Sequence, residues 1–169
     1  MGGVLVAGGK AHEDAGQFAR DGSVRPPWSA EGRIRDACTS CGECIKNCSE
    51  AILRPGPAGT PVVDFSVGAC TFCAACAEAC PEPVFDFDSD PWSLIAHVQS
   101  SCLLNAGISC RICTDACDET ALRFDLRGGI VGKIHVEAAA CTGCGACAGT
   151  CPAGAIAFVE RRIVRGARP

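Results

Sequence analysis

No single rhythm of apolar and polar positions runs through this chain; short apolar stretches are separated by turn-forming residues, and each predicts one small element. Over residues 1–37 glycines and charges interrupt every candidate period, which predicts a loosely ordered N-terminal arm. Within it, Arg25-Pro26-Pro27-Trp28 predicts an extended, polyproline-like backbone ending in an aromatic side chain. Such a segment suits docking, or serves to pin the arm onto its own domain. Ala51-Ile52-Leu53 is followed by the turn-rich Pro55-Gly56-Pro57-Ala58-Gly59 and by a predicted strand at Val62-Val63-Asp64-Phe65. Residues 91–106 predict a helix: Pro91 suits a first turn, and Trp92, Ile95, Ala96, Gln99, Cys102 and Leu103 recur at three- and four-residue steps. A last predicted strand, 155–159, leads into a basic tail, 161–169, with Arg161, Arg162, Arg165 and Arg168. The tail is either a docking patch for an acidic partner or a solvated end.

Cysteine placement changes this picture most. Cys141, Cys144, Cys147 and Cys151 stand at two-, two- and three-residue gaps, with Pro152 next, which is the bacterial iron–sulfur run. Gly143, Gly145 and Ala146 let the loop wrap three corners of a cubane cluster without side-chain clashes. In a two-cluster ferredoxin the cysteine before the proline ligates the neighbouring cluster, so one run implies another. Cys70, Cys73, Cys76 and Cys80 with Pro81 form a complete second match, while Cys38, Cys41, Cys44 and Cys48 keep the spacing with Ser49 in place of proline. Cys110, Cys113 and Cys117 lack a cysteine three residues upstream; Cys102, with seven residues between it and Cys110, reads as the displaced first ligand, the alternative being an inert core thiol. Four [4Fe-4S] clusters are expected, or three if the Cys102 group is not a site.

An internal repeat organises these runs. Cys48-Ser49-Glu50-Ala51-Ile52-Leu53 aligns with Cys117-Asp118-Glu119-Thr120-Ala121-Leu122, and the intervals Cys48 to Cys70 and Cys117 to Cys141 differ by two residues. By the exchange rule Cys38, Cys41 and Cys44 share a cluster with Cys80, and Cys70, Cys73 and Cys76 share one with Cys48. Cys102, Cys110 and Cys113 then pair with Cys151, and Cys141, Cys144 and Cys147 with Cys117. Runs closing on themselves would use the same sixteen ligands. The expected fold is α+β: two fused ferredoxin-like modules of short antiparallel strands, 38–90 and 107–160, joined by the 91–106 helix and preceded by the arm.

Composition supports metal clusters at the centre. Sixteen cysteines in 169 residues exceed the needs of an ordinary core, and 7 Phe, 2 Trp and no Tyr leave few large groups to fill one. Zinc usually pairs two CxxC knuckles, whereas these runs gather three cysteines at one place. The formal charge of −4, with about −2 more for each oxidised cluster, speaks against a nucleic-acid partner. Residues 4–7 are the only apolar run near the start, the first 30 residues contain no Arg-Arg pair, and no stretch approaches the ~18 apolar residues of a membrane span. The expectation is a cytoplasmic protein without a membrane span, in a compartment where disulfides do not persist. His12, His97 and His135 form no metal or triad spacing, and neither a P-loop nor a dinucleotide fingerprint is present, so no enzymatic site is expected.

The order of features is itself specific. An Arg-Pro-Pro-Trp arm, a run without proline, Cys80-Pro81-Glu82, Pro91-Trp92, the shifted Cys102 and Cys110-Arg111-Ile112-Cys113 group, Cys117-Asp118-Glu119 and the terminal 141–152 run together resemble the NapF family, ferredoxin-type proteins of periplasmic nitrate reductase systems. The resemblance spans about residues 25–158 and departs in the first 24, where members can carry an Arg pair. It implies a cytoplasmic accessory protein that contacts the molybdenum-containing catalytic subunit and assists maturation of its iron–sulfur site before export. A soluble electron-transfer ferredoxin of a respiratory chain is the alternative, and the arm favours the accessory role because a protein that recognises one client has use for an extra docking segment.

Overall fold

The computed structural model describes residues 16–19, 21–128 and 131–161. Two compact units divide them: Met1–Asp64 with Ala74–Pro91, and Phe65–Cys73 with Trp92–Pro169.

In the first unit, helix α1 (Glu31–Ala37) and the one-turn helices α2 (Glu43–Lys46) and α3 (Ala75–Glu78) accompany a hairpin of β1 (Leu53–Pro55) and β2 (Pro61–Val63). Leu53 pairs with Val63 and Pro55 with Pro61, so the prolines sit at strand ends, where a missing N–H costs no ladder bond. The turn-rich segment closes the hairpin through Gly56 N–H donating to Thr60 O at 2.7 Å.

The arm departs from expectation. Its described part, 16–19 and 21–37, is an anchored element of this unit: Gln17, Val24, Arg25, Ser29, Glu31 and Ile34 are buried, and Pro26 is fully so. Val24 bridges to Val63 and Ser29 to Phe85. Single anchors of this kind have no period, so hydropathy could not announce them. Trp28 does not end an extended rod; its backbone is left-handed (φ 59°), held by its N–H donating to Pro91 O and its carbonyl accepting from Asp86 N–H, both at 2.8 Å. Its ring meets the half-exposed Phe87 at a centroid distance of 5.6 Å.

In the second unit the predicted 91–106 helix is absent. Residues Leu94–Val98 form strand β3, antiparallel to β6 (Ile156–Glu160), and only Leu103–Ala106 make a short 3-10 turn. Trp92, Leu94 and Ala96 are buried while Ser93 and His97 are exposed, a period of two that a seven-residue apolar stretch shares with a helical reading. The segment is thus the opening strand of the second unit rather than a connector. Strands β4 (Leu122–Asp125) and β5 (Lys133–Val136) form the other hairpin, beside the one-turn helices α4 (Ile112–Asp115) and α5 (Ala146–Gly149). Phe65 packs against Phe158 with the rings tilted at a centroid distance of 4.5 Å and meets Trp92 edge-on at 5.6 Å, concentrating several of the few aromatics at one place.

The repeat extends to backbone detail. Leu53 and Leu122 open their hairpins five residues after Cys48 and Cys117; Ala51 and Thr120 are both left-handed, at φ 52° and 50°. Asp64 N–H donates to Ile52 O as Glu137 N–H does to Ala121 O, both at 2.7 Å. Among the described residues no helix is long and apolar enough to cross a membrane.

Candidate iron–sulfur sites

Three of the four runs are shaped by left-handed residues at matching positions. Two residues after the first cysteine, Ser40, Phe72 and Gly143 have φ of 56°, 55° and 75°. Ser40 N–H donates to Cys38 Sγ and Phe72 N–H to Cys70 Sγ, both at 3.4 Å. Between the second and third cysteines, Gly42, Ala74 and Gly145 are left-handed too, and each precedes a one-turn helix carrying the third thiol. Gly145 is irreplaceable on steric grounds as well: a Cβ there would lie 1.9 Å from Phe65 Cδ1. The third run differs. Arg111 occupies the corresponding position at φ −141°, and Cys102, half-buried, leads into the Leu103–Ala106 turn. The altered spacing therefore has its own backbone path.

The thiols gather in groups that draw on two runs. Cys38, Cys41 and Cys44 line one hollow with Cys80, walled by Ile45, Pro61, Val84 and Phe85. Burial pushes the Cys44 thiol up to about 11, reinforced by the charges Cys80, Cys38 and Cys41 would carry; burial raises Cys80 likewise. In the second unit Cys141, Cys144 and Cys147 line a hollow with Cys117, closed by Ala121, Leu122 and Phe158. Burial pushes Cys147 up to about 12, with Cys144, Cys141, Cys113 and Cys117 adding to it. Cys113 is raised to about 11, first by burial and then by Cys102, Cys151 and Cys110. The charge of Cys102 thus acts on Cys113 together with those of Cys151 and Cys110. Cys70 and Cys73 fall in the second unit while Cys48 and Cys76 fall in the first, so the grouping of those four rests on the repeat in the sequence.

These residues fit a [4Fe-4S] cubane. The donor set is all sulfur, the hollows are lined mainly by apolar side chains, and the raised thiol values mean that protons must leave as iron arrives. Among the described residues no three Cys, His, Asp or Glu side chains close on a single-ion point. His97 and His135 are exposed and apart from the hollows; His12 lies outside the described residues.

Exchange between runs has a direct consequence. Cys80→Ser is expected to perturb the same cluster signal as Cys38→Ser, because a hard oxygen ligand alters whichever cluster it joins. Low-temperature EPR of the two variants checks this; Cys80→Ser perturbing a different signal would show runs closed on themselves.

Two contributors escaped the sequence reading. Ala96 N–H donates to Cys141 Sγ at 3.4 Å, and Arg161 donates from its guanidinium to Cys141 O at 2.8 Å. Ala96 was hidden by the helix reading, and Arg161 was grouped with the tail; Arg162 and the rest of that tail lie outside the described residues.

The profile of the 4Fe-4S dicluster domain matches residues 37–84 and 108–155. The chain is 50% identical over 135 residues to the ferredoxin-type protein NapF of Haemophilus influenzae, covering 79% of this chain and 77% of that one. It is 38% identical to NapF of Escherichia coli K12 over 79% of this chain and 82% of that one. A more distant relative, at 29% over 88% of this chain and 74% of that one, is the methylamine utilization ferredoxin-type protein MauM of Methylophilus methylotrophus.

Proposed function

The chain belongs to the NapF family of ferredoxin-type 4Fe-4S proteins, and on that premise we propose that it is a cytoplasmic accessory protein carrying four [4Fe-4S] clusters, which binds the catalytic molybdenum subunit of periplasmic nitrate reductase before export and assists its maturation. The observation that carries the cluster chemistry is Cys80 standing with Cys38, Cys41 and Cys44, a set no single run would bring together. All sixteen cysteines are the proposed ligands, in the four exchanged groups. Once bound, such clusters supply one-electron redox centres. The chain's own residues hold the thiolates, exclude water with Val84, Phe85, Leu122 and Phe158, and leave Cys41 and Cys73 exposed as points of approach. It performs no substrate chemistry of its own.

The client enters through the family resemblance, and the exposed Cys41 and Cys73 keep a second reading in play: a soluble electron carrier needs only such edges. Anaerobic capture of the full-length chain from its own cytosol separates the two. Deleting the arm is the wrong variant, since it removes the buried Arg25 and Ile34. Recovery of an unexported molybdoenzyme precursor lacking its cluster is expected; recovery of mature redox partners alone would overturn maturation in favour of the carrier.

A further inference from the structure

The N–H bond that Cys141 accepts comes from farther along the chain than those to Cys38 and Cys70. Cys38 and Cys70 accept N–H bonds from two residues along their own loops. Cys141 accepts one from Ala96, 45 residues away on β3. In the β3–β6 register Ala96 faces Phe158, yet its N–H is directed to the sulfur, so this edge of β3 serves the cluster loop rather than the sheet. Arg161 follows β6 directly; its N–H donates to Ser93 O, continuing the pairing by one residue, and that fixes where its guanidinium meets the Cys141 carbonyl.

Reduction adds an electron to a cluster already at about −2, and two features of this site oppose it. Cys141 and Cys147 are 7% and 6% exposed, so added charge is poorly solvated. Glu119 also lines the hollow and repels it. A cation beside a ligand's carbonyl and an N–H aimed at its sulfur act in the opposite direction, stabilising the reduced form. Both come from the β3–β6 pair.

We propose that Arg161, with the Ala96 N–H, holds up the reduction potential of the cluster bound by Cys141, Cys144, Cys147 and Cys117, keeping this buried site reducible. Arg161 is a positioning and charge-supplying residue, not a ligand. The inference rests on the four-cluster reading above. Its consequence is that the deeper cluster of the second unit stays within electron exchange of the neighbouring group, whose Cys113 packs against the core that holds Cys141 and Cys147.

The test is an EPR-monitored redox titration of the full-length, anaerobically reconstituted chain as wild type, Arg161→Gln, Arg161→Lys and Cys144→Ser. Arg161→Gln is expected to lower one potential and leave the others in place, at unchanged iron content. Arg161→Lys, which keeps the cation, is expected to stay near wild type. Cys144→Ser identifies the cluster concerned, and it should be the one that Arg161→Gln moves. Unchanged potentials in Arg161→Gln, a shift in a different cluster from that of Cys144→Ser, or iron loss in both Arg161 variants would overturn the proposal. Failure of the cluster reading looks different: Cys144→Ser would then disturb no cluster.

Discussion

Stripping the iron from the full chain is expected to abolish its native tertiary structure. The reason lies in what occupies the core. In the second unit the buried cluster comprises Ala96, Ala121, Leu122, Cys141 and Cys147, with Ile134, Val136, Ile156 and Phe158 packed around it. Two of its five members are thus thiols that face a hollow. Without metal, those thiols lose the bonds that tie the 141–147 loop to Cys117, and the strands that remain are two-stranded pairs, which are marginal alone. A structural metal site contributes on the order of 10 kcal/mol, comparable with the ~5–15 kcal/mol total stability of an ordinary domain. Loss of amide dispersion in proton NMR after anaerobic chelation, and its return with iron and sulfide, are the expected results. An iron-free chain with a dispersed, native-like spectrum would show that side-chain packing suffices.

Legibility in the sequence followed the nature of each constraint. The cysteine runs were readable because ligand spacing is set by the chemistry of the metal and leaves a local signature. The repeat marked where the two hairpins begin, since Leu53 and Leu122 keep the same offset from Cys48 and Cys117, but of their four strands only the one near 62–65 stood out by composition. Strand β3 was not: Trp92, Leu94 and Ala96 satisfy a period of two, but Trp92, Ile95, Ala96 and Gln99 satisfy one of three to four equally well. Only its pairing with β6, some 60 residues on, settles the choice, and pairing leaves no mark in the segment itself. The same holds for Arg161. Grouping it with a run of arginines hid a residue whose guanidinium has a specific carbonyl partner 20 positions back.

The arm is the largest departure, and its energetics explain how a segment without periodicity becomes fixed. Arg25 lies beneath the β1–β2 turn with its side chain 4% exposed, paired with Glu31 at 2.7 Å, Glu31 being 11% exposed. Arg25 Nη1 also donates to Thr60 Oγ1 at 2.8 Å and to Pro61 O at 3.0 Å, so one guanidinium ties the arm, α1 and the hairpin together. Glu31→Ala strands that charge in a buried site, which costs about 3–5 kcal/mol. Expressed as local opening, this is roughly a hundredfold to several-thousandfold rise in amide exchange at Val24, Arg25 and Val63 at about 1.4 kcal/mol per tenfold. The first unit's cluster binding should weaken with it, because the same hairpin supplies Pro61 to the wall around Cys38, Cys41, Cys44 and Cys80. Replacing both partners by apolar residues, Arg25→Met with Glu31→Leu, should recover most of the loss, since the cost belongs to the unpaired charge rather than to the pair. Unchanged exchange in Glu31→Ala would mean that Thr60 and Pro61 suffice to hold the guanidinium. In that case the arm's anchorage would rest on those two hydrogen bonds together with the burial of Pro26, Ser29 and Ile34, and Glu31 would add little to it.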